Sequence, residues 1–465
     1  MEIIFEDDEL VNSLPDAALS GQHEPRTKTA SLSAGRPIGI DLFSGVGGLS
    51  LGFEQSGFDI AAAVDIDPVH CASYAFNFPK TAVICASVAE LSGQDIRARA
   101  GIGDQIVDCV FGGAPSQGFS VMGARSLDDP RNGLVMHFAR LVHELDARSF
   151  VFENVSGITK GRHRDVLDAL VTAFEAFGYS VRMDWKVLNA ADFGVPQSRD
   201  HFILLGAKRG QKLPDYPSPI CNPPGRPLSD PNLPLGPSAR DALGDLPDAE
   251  RFEELLNGDT AYVYDWGRRS AYASRMRCET SYDWHLGYPR DWQPWLLTAS
   301  ARTDHTDLIR RRFAETFPGR VEPISRFFKL APDGISNTLR AGTDGARGAF
   351  TSPRPIHYLF DRCITVREMA RLHGIPDWFR PHSTKWHGAR QIGLAVPPPL
   401  ARAVAEEVVA ALDVKPQAPQ EVLMQVEHAC LSFDMTEAAR HFDVALLSGK
   451  RQRSRQKKAN APQEI

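Results

Sequence analysis

The sequence predicts an α/β fold: a doubly wound, mostly parallel sheet interrupted by a smaller inserted domain. Short apolar, β-rich runs alternate with helix-spaced segments from Ile38 to about Lys208. That alternation stops at a Pro-rich stretch near Gly210, and a regular helical pattern returns only near residue 356. Strands buried on both faces read as near-continuous apolar runs, and their alternation with helices marks βαβ units.

Residues 1–35 mix acids, Ser, Gly and Pro without a sustained period, so a mobile leader is expected, with one short helix near Glu9–Leu19. Residues 36–210 form the first part of the sheet domain. Within them "IGIDLF", "IAAAVDI", "VDCVFGG", "SFVFENV" and "HFILLGA" read as strands, and Leu134–Asp146 and Asp165–Phe177 carry helical spacing. The stretch "KLPDYPSPICNPPGRPLSDPNLPLGP" is extended and linker-like and opens a second domain over residues 211–355, rich in Arg, Trp and Tyr and weak in periodicity. The sheet domain closes over residues 356–413. There "CITVREMARLHGIPDWF" reads as a helix and a turn, and "RQIGLAVPPPLARAVAEEVVAALDV" as a turn, a Pro run and a long helix. Residues 414–465 are an extension whose basic end, "SGKRQRSRQKKANAPQEI", is expected to be disordered.

A chain of 465 residues, 43% hydrophobic and 24% charged, has room for two domains. No apolar run reaches the roughly 18–20 residues that span a bilayer. The acidic start "MEIIFEDDEL" lacks the basic n-region and apolar core of a signal peptide. The cysteines Cys71, Cys85, Cys109, Cys221, Cys278, Cys363 and Cys430 are scattered and show no metal-ligand spacing. A reducing cytosol and no metal are therefore expected, and with them a cytoplasmic protein. The net charge of −6 does not favour nucleic acid, but a local basic face suffices for binding. "DWGRRSAYASRMR" and "RRRF" in the second domain interleave Arg with aromatics, as phosphate and base-edge contact requires.

"IDLFSGVGGLSLGF" follows a strand and opens a helix, and its glycines Gly45, Gly47 and Gly48 let backbone approach a ligand. Asp65 ends the next strand, where an acid holds ribose hydroxyls in nucleotide-binding α/β folds. The loop has neither lysine nor a Walker pattern, which points to a nucleoside-like cofactor rather than a phosphate-bearing one.

With these segments the chain resembles the DNA cytosine-5 methyltransferase family, in the manner of its bacterial Dcm-like members. "DLFSGVGGLSLGF" is similar to the family's first cofactor motif, "GGAPSQGFS" to its catalytic loop, "FVFENV" to its Glu-Asn-Val motif and "GVPQSRDH" to its Gln-x-Arg-x-Arg motif. "TVREMARLHGIPDWF" and "RQIGLAVPPPLARAVA" are similar to its two closing motifs, in the family's order. The second domain matches only through Thr338-Leu339 in "NTLRAG", usual in a target-recognition domain. The resemblance implies a class I methyltransferase fold, S-adenosyl-L-methionine as cofactor, and double-stranded DNA as partner with a cytosine flipped out of it. It implies that Phe43, Ser44, Gly45, Gly47, Gly48, Asp65, Ile66, Ser87, Pro115, Leu134 and Leu394 line the cofactor pocket. Glu153 is implied to hold the cytosine ring, with Ser116, Arg199 and His201 beside it as catalytic residues, and Gln117, Thr338, Leu339 and Arg340 to meet DNA. A restriction or defence-system partner is not visible in the sequence.

Several positions depart from the family pattern. Ser116 stands where the family carries the nucleophilic Cys, His201 replaces the second Arg of Gln-x-Arg-x-Arg, and Leu394 replaces the Asn of Gln-x-Gly-Asn. Ser87 stands where an Asp often contacts the adenine. A disabling Cys→Ser substitution accounts for Ser116 alone, and the other changes favour natural divergence. A cysteine with a pKa of ~8.5 is readily tuned to thiolate, whereas a serine needs a strong neighbouring base. His201 is the candidate base. Three outcomes follow for the sequence: weak carbon-5 methylation, altered chemistry on cytosine (transfer to the amino nitrogen, or a modified methyl donor admitted by Leu394), or a non-catalytic base-flipping module.

Overall fold

The computed structural model describes residues 29–114, 133–161, 163–343 and 354–446. The expected leader helix, the Pro115-Ser116-Gln117 segment and the basic tail lie outside the described residues.

The central sheet takes strands β1 (Ile38–Leu42), β2 (Asp59–Asp65), β3 (Ala82–Cys85), β4 (Cys109–Gly113), β5 (Ser149–Asn154), β6 (Tyr179–Val181), β7 (Lys186–Asn189) and β8 (Asp200–Lys208). Their spatial order is β3-β2-β1-β4-β5-β8-β6, with β7 also paired to β8. From β3 to β5 every pairing is parallel, and β8 runs antiparallel to β5, β6 and β7. The strand order reverses at β1, which lies between β2 and β4, so a crevice opens beyond the carboxyl ends of these strands.

Successive strand residues face opposite sides of the sheet. Phe150 and Phe152 of β5 join one core with helices α3 (Gly93–Ala100), α4 (Gly133–Glu144) and α5 (His163–Ala176). Val151 joins the other, against α1 (Gly48–Gln55) and the closing helix α11 (Pro398–Leu412). The two ends of the chain therefore share one face of the sheet.

The elements of residues 211–355 are short: α6 (Ala239–Leu243), the strand pair β9 (Ala261–Tyr262) and β11 (Leu296–Leu297), α7 (Ala271–Met276), β10 (Arg290–Asp291) and α8 (Asp307–Glu315). Their apolar core does not divide at residue 211 or 355. It runs from Val46, Leu51 and Tyr74 through Leu243, Leu297 and Leu339 to Met369 of α9 (Val366–Leu372) and Ile392 of α10 (Lys385–Leu394). Buried arginines reinforce it. Arg371 donates to both Asp245 and Asp377, and Arg362 bridges Asp248 and Glu368. Burying a guanidinium is costly unless acceptors satisfy it, as these carboxylates do.

One expectation is corrected here. "RQIGL" is not a turn but the last turn and a half of α10, which ends at Leu394 before Pro397 closes off further helix. Beyond α11, β12 (Leu423–Met424) pairs with β10, and α12 (Met435–His441) packs on α2 (Pro68–Asn77). Among the described residues no helix is long and apolar enough to cross a membrane.

Candidate active site

The turn after β1 needs unusual backbone. Phe43, Gly45 and Gly47 all have positive φ (63°, 56° and 96°), which glycine adopts freely and Phe43 does not. A side chain on Gly47 would strike Phe78 at 2.3 Å, and one on Gly48 would strike the Val396 carbonyl at 2.4 Å. Around Gly45 the space is open. The glycines thus pack the loop tightly on its inner side and leave its outer side free.

Asp65 ends β2 beside this loop. Its Oδ2 accepts the Gly45 N–H at 2.9 Å and its Oδ1 the Asp67 N–H at 2.8 Å. Burial pushes its carboxyl up, but His70 and these amides outweigh burial and hold it below the usual range. Ile66, next along, is 51% exposed, and Ser87 lies just past β3, where the preceding Ala86 N–H binds the Asp65 carbonyl. Leu134 is half-buried against the α4 side of the core, and Leu394 is exposed at the end of α10.

The cradle fits a nucleoside cofactor. Ser44 Oγ and Asp41 Oδ1 are buried polar atoms with no partner among the described residues, both within the turn or the strand end that feeds it. Buried polar atoms in native proteins are nearly always satisfied, so a polar ligand is the natural complement. Asp41 is held in place by a chain in which Tyr74 donates to Ser50 at 2.7 Å and Ser50 to Asp41 Oδ2 at 2.6 Å. Burial pushes the Asp41 carboxyl up to about 8.

The second cluster sits at the ends of β5 and β8. Glu153 is paired in register with Gly113 of β4, the strand that leads to Ser116. Its Oε2 occupies the space a Gly113 side chain would need, 2.4 Å from the Cβ position. The neighbouring Asn154 donates Nδ2 to the Ala114 carbonyl at 3.2 Å, which fixes the chain two residues before Ser116. His201 Nδ1 lies 2.7 Å from Glu153 Oε1, and Arg199 donates Nε to His201 Nε2 at 3.1 Å. Arg199 uses its other nitrogens on the Leu339 and Gly393 carbonyls, at 2.9 and 3.0 Å.

This geometry bears on two expected roles. The Nε2 lone pair of His201 accepts from Arg199 and its Nδ1 faces Glu153, so both ring nitrogens are engaged by protein groups. Burial also pushes its pKa down, which keeps the ring neutral. Arg199 directs one N–H from each of its three nitrogens at His201, Leu339 and Gly393; burial pushes it down to about 10, so it remains a cation.

The recognition segment is tied to the same strand. Thr338 donates Oγ1 to the Ser198 carbonyl at 2.8 Å, and the buried Leu339 N–H binds Gln197 Oε1 at 2.9 Å. Arg340 is exposed. Sequence reasoning gave no role to Gln197 or His373. Gln197 reaches His373 Nδ1 at 2.8 Å, and His373 Nε2 reaches the Ala395 carbonyl at 2.9 Å. The available signal was spacing: Gln197, Arg199 and His201 are alternate residues of an extended segment and share a face.

A family model of C-5 cytosine-specific DNA methylases matches residues 39–410. Among curated proteins, the Type II methyltransferase M.XorII of Xanthomonas oryzae pv. oryzae is 54% identical over 410 residues, covering 88% of this chain and 93% of the relative. The Type II methyltransferase M1.HphI of Haemophilus parahaemolyticus is 32% identical, covering 80% and 86%. A crystal structure of a prophage-encoded protein from E. coli, described as a DNA modification methyltransferase, superposes with a TM-score of 0.66 at 30% identity, covering 81% of this chain and 99% of that one. The glycine turn, the acid at the end of β2 and the Glu153 strand end all fall within the matched span. The chain belongs to the C-5 cytosine-specific DNA methylase family, as a DNA cytosine methyltransferase whose methyl donor is S-adenosylmethionine.

Proposed function

We propose that this chain turns its target cytosine out of double-stranded DNA onto Glu153, and that Ser116 makes its carbon-5 transfer slow. The observation that carries this reading is the Glu153 carboxylate, fixed by His201 near the carboxyl end of β5, beside the end of β4 from which the Ser116 segment departs. A duplex base cannot reach a carboxylate so enclosed unless it leaves the stack.

S-adenosylmethionine supplies an electrophilic methyl group. The turn from Phe43 to Gly48 and Asp65 would hold it, with Ser44 Oγ and Asp41 Oδ1 meeting its polar groups. Carbon-5 transfer needs a nucleophile bonded to carbon 6 of the ring, a proton delivered toward ring nitrogen 3, and later loss of both the carbon-5 proton and the nucleophile. Ser116 must give up its proton to serve. His201, the base expected for it, already accepts a hydrogen bond from Arg199. A serine without a base loses the several powers of ten that a nucleophile supplies.

A second reading is favoured by the same carboxylate. Its Oε1 is fixed 2.7 Å from His201 Nδ1. Set beside the exocyclic amino group, the Glu153 side chain would take the proton that the nitrogen loses on accepting the methyl group. No carbon-6 adduct is required. On either reading Thr338 and Arg340 lie on the DNA side. The Type II names of the relatives extend to this chain as modification paired with a restriction endonuclease.

The test is nucleoside analysis by mass and retention after incubating DNA with protein and S-adenosylmethionine. Scarce 5-methylcytosine that rises sharply in Ser116→Cys supports the first reading. Abundant N4-methylcytosine in the unaltered chain supports the second. Binding without any product in either chain leaves a base-flipping module and overturns both.

A further inference from the structure

Arginine has only donors, so the Arg199 Nε–H at 3.1 Å requires a lone pair on His201 Nε2. A neutral imidazole with its lone pair on Nε2 carries its proton on Nδ1. That proton points at Glu153 Oε1, 2.7 Å away. The Arg199 guanidinium is in turn oriented by the Leu339 and Gly393 carbonyls, which belong to the recognition segment and to α10.

We infer that His201 is a positioning residue, held by Arg199 in the Nδ1–H form so that it fixes the orientation of the Glu153 carboxylate toward the target base. The inference rests on the reading that Glu153 receives the cytosine. It gives this chain's departure from Arg a definite purpose, because a neutral ring is at once donor and acceptor, where a guanidinium could only donate. A second guanidinium at this position would oppose Arg199 rather than accept from it. Among the described residues, Glu153 from β5, Arg199 just before β8, Asp200 at its start and the neutral His373 after α9 are the titratable groups that act on the His201 ring. The side chains of His201 and Glu153 are only 3% and 10% exposed, so water does not compete strongly for these bonds.

Two measurements on the full-length chain test it. The first needs no activity: 15N spectra of histidine-labelled protein at neutral pH, with the His201 signals assigned by their loss in His201→Gln. The expected pattern is a protonated Nδ1 and an unprotonated Nε2, reverting to the commoner Nε2–H form in Arg199→Met. An Nε2–H or doubly protonated ring in the unaltered chain overturns the inference. The second is methyl transfer from labelled S-adenosylmethionine to DNA. Glutamine carries a donor and an acceptor at nearly the imidazole separation, and leucine carries neither. His201→Gln should keep kcat within about threefold, whereas His201→Leu should lower kcat by roughly a hundredfold, with the KM for S-adenosylmethionine unchanged in both. Equal losses in the two variants, or a change confined to KM, would refute the positioning role. If the unaltered chain is too slow to follow, the same pair is compared in a Ser116→Cys background. Absence of transfer there counts against the cytosine reading, while the spectra still decide the relay.

Discussion

The two walls of the site are built on different principles. The cofactor wall is made chiefly of backbone, positive-φ turns and amides that orient Asp65, together with two buried side-chain atoms, Ser44 Oγ and Asp41 Oδ1, left without a partner among the described residues. The base wall is made of side chains that satisfy one another, Glu153 by His201, His201 by Arg199, and Arg199 by carbonyls of two other segments. The first wall leaves polar atoms unpaired among the described residues, and Ser87 and Leu394, two of the departures from the family pattern, fall on it. In the second the described side chains pair with one another, and Ser116 and His201, the other two departures, belong with it. A closed network accommodates a change at one member by re-pairing the next, whereas a glycine turn has no such freedom.

The sharpest way to probe this contrast is Ser116→Cys. With a slow carbon-5 enzyme as parent, 5-methylcytosine formation should rise by on the order of a thousandfold or more. Cofactor affinity should stay level, because the change touches only the base wall. A parent that methylates the amino nitrogen should gain nothing, and neither should it trap on 5-fluorocytosine DNA.

Gly48→Val tests the opposite wall. Its added carbons meet the Val396 carbonyl, which belongs to backbone and cannot rotate away. Overpacking of this kind costs about 1–3 kcal/mol. Urea unfolding should show the loss, and calorimetry should show S-adenosylmethionine binding abolished or greatly weakened. Unchanged binding would mean that the turn does not hold the cofactor. Asp65→Ala is gentler, removing a charged acceptor worth about 1.5–3 kcal/mol. It should weaken cofactor binding by roughly 10- to 150-fold and leave DNA affinity alone.

The smallest effects are those of pH, and the two walls should respond with opposite signs. Burial holds His201 below its ordinary 6.5, so the unfolded chain takes up the proton first and this wall loses stability as pH falls below that value. At His70, burial lowers the pKa, but Asp67 and Asp65 outweigh it and the net shift is upward. The contribution of His70 is therefore complete below 6.5 and fades as pH rises through its folded value. Urea midpoints of His201→Gln and His70→Gln against the parent, from about pH 5 to 9, should diverge at opposite ends of the range. Parallel curves would remove the distinction.

Much of the cofactor wall was legible because its requirements are local. The glycines and the acid at the next strand end declare themselves within a short span, and the apolar strands around them need no distant information. Glu153 could be singled out through its Asn-Val neighbours. The pairing of His201 could not, because a lone histidine does not show which partner takes its lone pair; that depends on Arg199 being turned by Leu339 and Gly393, from remote segments. The same blindness hid the buried arginines. "TVREMARLHG" reads as an ordinary charged helix, and only the fold brings Asp245 to Arg371 and Asp248 to Arg362. It also hid the continuous core that joins Leu297 and Leu339 to Val46 and Met369, since composition changes near Gly210 without showing which segments pack together.

The Val396 carbonyl lies against Gly48, and α11 covers the same face of the sheet as α1. On the ribosome the glycine turn emerges long before the segment that backs it. Until that segment arrives, the turn has no wall to rest on and α1 keeps an uncovered apolar face, a hazard for a long nascent chain. The cofactor site should therefore ripen late, only once α11 has been translated. A chain stalled after α10 and before α11 would carry the turn from Phe43 to Gly48, Asp65 and Glu153 and still be unable to hold a methyl donor.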